Sequence, residues 1–155
     1  MQIKNFAFLV NKLDNSHAMT TMTHNLNLLV LSNAEYSPIV FHQTSGKVLV
    51  YPQFPHMMLQ HIWGYEGTIF SVDINTTQLL LNNCMRATRK IFYVFDLEWA
   101  HQGASQFGAL SHIYQNPNIE LLARCQEHYN ILKRVWKKPI GILEDFNSEQ
   151  LIKLL

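Results

Sequence analysis

Asp96, Glu98 and His101 fall within six residues, directly after the apolar run Ile91 to Phe95. A carboxylate placed at the end of such a run is drawn partly out of water. Its proton affinity then rises toward neutrality, and one of the two acids could act as a general base with His101 as partner. Asp96 is the expected base and Glu98 its substitute, while Trp99 offers a surface for stacking a ligand. The competing reading is structural: Asp96 caps the loop or accepts backbone amides, and Glu98 and His101 stand in solvent.

The same pattern recurs along the chain. Phe6 to Val10 runs into Asn11-Lys12-Leu13-Asp14-Asn15, Ile119 to Ala123 into Arg124, and Pro139 to Leu143 into Glu144-Asp145-Phe146. Segments of helical character separate these runs, which predicts one mainly parallel sheet whose carboxyl edge collects the polar ends. Asn15, His17, Trp99, Arg124 and Glu144 are the expected substrate contacts on that edge. A helix starting at Ser16-His17 can receive an anion or a sugar hydroxyl, or Asn15 and Ser16 can simply cap it.

Several chemistries lack their residues. The first loop, Asn11 to Ala18, has no glycine and therefore no dinucleotide fingerprint, and no phosphate-binding P-loop occurs. The eight histidines form no HxH or HExxH pair, so no metal site is expected, and no serine sits in a GxSxG elbow. Cys84 and Cys125 are unpaired in spacing, as in a reducing compartment, and with a leading apolar run of only five residues the expectation is a cytoplasmic protein. No apolar run approaches the length of a membrane span.

With 155 residues, 48% of them hydrophobic, the chain is sized for one core and one domain, residues 1–155. Its formal net charge of +1 gives no global attraction to polyanions. A local patch is present, since Lys133, Arg134, Lys137 and Lys138 surround Trp136. It could hold nucleic-acid phosphates or lipid head groups, or could merely complement a helix carboxyl end.

The periodicity predicts strands at 3–10, 68–72, 91–95, 119–123 and 139–143, and helices at 17–31, 105–114, 126–136 and 148–154. Asn75 is the expected cap of a helix from Thr76 to Met85. Residues 38–51 read as strand, tight turn and strand around Thr44-Ser45-Gly46, with a short helix at 56–63 after them. The predicted fold class is α/β, a single Rossmann-like domain with helices on both faces of the sheet.

Ala123-Arg124-Cys125-Gln126-Glu127-His128, the helix after it, Pro139 to Leu143 and Glu144-Asp145-Phe146-Asn147 together resemble the end of the N-terminal lobe of GT-B glycosyltransferases. Phe95-Asp96-Leu97-Glu98-Trp99 stands where such lobes carry acceptor-facing residues. The chain is also similar to small glycosyltransferase-like proteins of tailed phages, which would place it in a host cytoplasm. The resemblance implies sugar transfer to a hydroxyl, with a nucleotide sugar as donor substrate and no other cofactor. Asp96 would be the base, His17 and His101 would position the acceptor, and Arg124 would neutralise a phosphate. Two departures matter: the first loop lacks the family's glycines, and the donor-holding second lobe has no counterpart here. The resemblance thus implies a partner chain or a homo-oligomer, met through Phe146, Leu151, Leu154 and Leu155. The alternative function is a non-catalytic protein- or nucleic-acid-binding module on the same scaffold, using Trp99, Trp136 and Tyr129.

Overall fold

The computed structural model describes residues 4–101 and 104–155, without the side chains of residues 101, 104 and 105. Six strands form one sheet: β1 (Lys4–Leu13), β2 (Tyr36–Ser45), β3 (His56–Met58), β4 (Thr68–Ser71), β5 (Arg89–Val94) and β6 (Glu120–Ala123). Their spatial order is β3-β2-β1-β4-β5-β6 and every pairing is parallel. This is the order of doubly wound, Rossmann-like sheets, and it reverses direction between β1 and β4.

The central strands read as unbroken apolar runs because both faces are covered. Phe6, Phe8 and Val10 of β1 point into one core, with Met22, Leu26 and Leu29 of α1 (His17–Ser32) and Leu151 of α5 (Ser148–Leu154). Ala7 and Leu9 point into the other. That second core is closed by Leu80 of α2 (Ile74–Asn83), Ile113 of α3 (Ala104–Tyr114) and Leu132 of α4 (Gln126–Val135).

The hairpin expected at 38–51 does not form. Thr44 and Ser45 are still inside β2, where they pair with Lys12 and Leu13 of β1, and the Gly46 amide donates to the Leu13 carbonyl. Strand β2 continues through the apparent turn because a parallel neighbour uses its backbone groups. Residues 48–51 are not a strand either: the Asn27 side chain donates to the Tyr51 carbonyl and accepts from the Gln53 amide, pinning this loop to α1. The helix expected at 56–63 is instead strand β3, parallel to β2, followed by a 3-10 turn at Leu59–Gly64.

Two boundaries move for identifiable reasons. Helix α2 is capped by Asp73 and not Asn75, because the Asp73 carboxylate accepts the Thr76 amide at 2.7 Å while the Thr76 hydroxyl accepts the Asp73 amide at 3.1 Å. Residues 139–143 run beside β6 through amide bonds from Ile140 to Leu121, Ala123 to Gly141 and Leu143 to Ala123, but only one bridge, Ala123 with Ile142, is formed. Two of the four residues expected to meet a partner cannot do so: Phe146 and Leu151 are fully buried in the first core, whereas Leu154 and Leu155 pack against it and stay partly exposed.

The buried Thr76 hydroxyl also accepts the Val72 amide and donates to the Asp73 carbonyl. Thr76→Val keeps the shape and removes the whole set. Urea unfolding should show a loss of about 1–2 kcal/mol, and an unchanged midpoint would mean that the Thr76 hydroxyl adds nothing to the Asp73 cap, whose carboxylate still accepts the residue 76 amide.

Candidate functional site

At the carboxyl edge, the loops after β1, β4 and β5 enclose a cleft of about 270 Å³ at the point where the strand order reverses. Asn11 and Lys12 come from the last residues of β1, which runs on through the expected loop start to Leu13. Asp14 and Ser16 come from the loop after it, Asp73 from the second loop, and Phe95, Asp96 and Glu98 from the third. Helix α1 starts at this cleft. Ser16 occupies its N-cap position but makes no side-chain capping bond; its amide donates to the Asp14 carboxylate at 2.9 Å instead. That bond, reinforced by Lys12 at 3.8 Å, keeps the Asp14 carboxyl below the usual range.

Glu98 is the group with a changed chemistry. Strand β5 delivers it into a 3-10 turn, Glu98–His101, which folds its carboxylate under the N-terminus of α2, where Oε1 accepts the Ile74 amide at 3.1 Å. Burial raises its pKa to about 7; the charges of Asp73 and Asp96 push the same way, and the Ile74 amide opposes them. A carboxyl group at that value is divided between acid and base near neutral pH, the condition in which proton transfer to or from a ligand is most effective.

Asp96 differs from Glu98 in every respect that matters. Its side chain is 71% exposed and lies 3.9 Å from Arg124. Arg124, delivered by β6, has its guanidinium carbon over the Phe95 ring, 4.0 Å from the ring centre, and its Nε donates to Asp145 at 2.8 Å. Both of its carboxylate partners belong to the protein, so its charge is already matched. Arg124 and Glu144 also line a neighbouring cavity with Cys125, His128 and Asp145, and this second cavity adjoins the cleft through Phe95 and Asp96.

The remaining expected contacts are more scattered. Asn15 and His17 are exposed on the first loop and at the start of α1, outside the wall of the cleft. Trp99 is buried, edge-on to Tyr114 and Trp136, so its ring is turned into the core. The His101 side chain lies outside the described residues. Trp136 stacks between Phe107 and Tyr114, and Lys137 donates to the carbonyls of Asn116 and Ile119, leaving Lys133, Arg134 and Lys138 as the exposed part of the basic patch.

Reading the sequence passed over Asp73, although it obeys the rule that singled out Asp96: an acid directly after an apolar strand. Lys12, expected in the first loop, lies near the end of β1, and Asp14 directly follows that strand. The balance they create decides what the cleft admits. Asp14, Asp73, Asp96 and Glu98 line it with a single ammonium group, Lys12, so the lining is rich in hydrogen-bond acceptors and carries more acidic than basic groups. The volume is near the lower end of ligand pockets and suits a single sugar ring better than a dinucleotide. Among the described residues, no group of three or more His, Cys, Asp and Glu is arranged to hold a metal ion, and none of the helices is long and apolar enough to cross a membrane.

No protein-family model, curated protein or solved structure matches this chain.

Proposed function

We propose that the cleft binds a polyhydroxyl acceptor of sugar type and that Glu98 is the base for glycosyl transfer to one of its hydroxyls. The observation that carries this reading is the half-buried Glu98 carboxyl, with its pKa raised to about 7, in an acid-lined cleft of sugar-ring size. In the reaction the acceptor oxygen attacks the anomeric carbon of the donor, its proton passes to Glu98, and the bond to the nucleoside diphosphate breaks. Asp14 and Asp73 accept hydrogen bonds from the acceptor's other hydroxyls. Asp96, held near Arg124, orients the ligand at the rim.

The role of base thus passes from Asp96 to Glu98, because only Glu98 is desolvated enough to hold a proton at neutral pH. The donor diphosphate does not fit the acidic lining, so a nucleotide sugar is presented from outside it, by a partner chain or a second copy of this one.

Amide chemical shifts followed during titration with monosaccharides and short polyols test the reading directly. Residues 10–16, 72–74 and 96–98 should move together, and nucleoside diphosphates alone should leave them in place. Sugars that shift none of these amides, or shift only those of the Cys125 cavity, would overturn the acceptor assignment. Binding without transfer in the presence of any donor would support the non-catalytic module instead.

A further inference from the structure

A second ionisable pair lies at the sheet edge β2–β3, away from the acidic cleft. His42 of β2 is 4% exposed, and its Nε2 is 3.3 Å from Nδ1 of His56 in β3. The two rings are 5.5 Å apart. Strand β3 is itself three residues long, all exposed, pairs only with β2 through Val40, Phe41 and His42, and ends the sheet, while Phe54 before it and Ile62 after it are buried in the two cores. We propose that His42 and His56 form an acid-released latch that ties β3, and the Leu59–Gly64 turn that follows it, to the body of the sheet.

The bond between the rings needs one nitrogen with a proton and one without. In the neutral pair, Nε2–H of His42 can donate to Nδ1 of His56, which leaves Nδ1 of His42, buried without a partner, free of any proton. A first added proton can be housed on the exposed His56 ring, provided that His42 moves its own proton to Nδ1 and accepts through Nε2. A second proton cannot: two N–H groups then face each other and two cations stand 3.3 Å apart.

Protonation of His42 is disfavoured in the closed state, first by burial and then by the charge of His56, while the nearby Thr44 carbonyl, which makes no full hydrogen bond to the ring, acts the other way. Its neighbours across the ladder, Val10 of β1 and Met58 of β3, carry no charge. The sign follows. Because its pKa is depressed in the closed state, the opened state binds more protons below the ordinary histidine value. The latch is therefore intact above about pH 6.5 and weakens as the pH falls below it.

Opening would also remove Met58, Leu59, Ile62 and Trp63 from the wall of the cavity they form with Gln43 and Asn83. Hydrogen exchange read by mass spectrometry tests this, with rates corrected for the intrinsic effect of pH. Between about pH 7 and pH 5, protection of residues 56–64 should fall at least tenfold relative to residues 6–10 of β1, and His56→Gln should weaken that dependence, leaving only the part due to the burial of His42. Protection that is unchanged over this range, or that falls equally in both segments or in both proteins, overturns the latch. A ring titration of the wild-type protein closes the remaining route: His42 found charged while 56–64 stays protected would overturn it too.

Discussion

Glu98→Gln should abolish proton transfer in the cleft while making the protein more stable at alkaline pH. The carboxamide keeps an oxygen for the Ile74 amide, so the contact at the start of α2 survives, but the group can no longer ionise. Glu98 has a pKa of about 7 in the folded chain against an ordinary value of 4.5. Between these values the folded state holds the extra proton, so this residue's contribution to stability is fully present below about pH 4.5 and is lost as the pH rises through about 7. Wild type and variant should thus melt together near pH 5, and the variant should melt higher near pH 8, while any transfer rate falls by about 10²–10⁴-fold. Loss of stability at both pH values would make Glu98 a structural acceptor and nothing more. The His42 pair has the opposite sign and loses stability on acidification, so His56→Gln and Glu98→Gln separate the two contributions at opposite ends of the pH range.

What could be read from the sequence follows the physics of each element. Strands β1, β4, β5 and β6 were legible because two covered faces demand uninterrupted apolar residues, whereas the similar run at 139–143 makes only a single bridge to β6. Strand β3 was not, since His56-Met57-Met58 is an exposed edge whose pairing is set by β2 alone. Thr44-Ser45-Gly46 misled for the same reason: turn-forming residues were held extended by the neighbouring β1, a tertiary override of local preference. In the site, the acids after β5 were visible as a cluster. Their division into an exposed Asp96 and a desolvated Glu98 was not, because it depends on the 3-10 turn and on where α2 begins. Trp99 shows the converse, an aromatic residue whose neighbours in sequence are polar and whose neighbours in space are Tyr114 and Trp136.

Phe146→Ala should be the most damaging single change to the fold. Asp145 and Phe146 both have left-handed backbone, with φ of 46° and 62°, a conformation that costs a non-glycine residue about 1–2 kcal/mol. It persists because the Phe146 ring fills the core beneath the carboxyl edge, stacked on Phe95 at 5.5 Å and edge-on to Tyr93 at 4.9 Å and Phe8 at 5.6 Å. Around it the Tyr93 hydroxyl donates to the Leu143 carbonyl, and Asn25 donates to the Asp145 carbonyl. Truncating the ring leaves the cavity and the strain together, so urea unfolding should show a loss of about 3–5 kcal/mol. Asp145→Gly relieves strain while deleting a half-exposed partner of Arg124, and the two effects should leave stability within about 1 kcal/mol of wild type. The pair of variants is diagnostic: a small loss from Phe146→Ala, or a large one from Asp145→Gly, would mean that the Arg124–Asp145 contact and not the buried ring fixes this corner. Since Phe95 carries Arg124 on its other side and adjoins the cleft, the truncated protein should also lose sugar binding at temperatures where it is still folded.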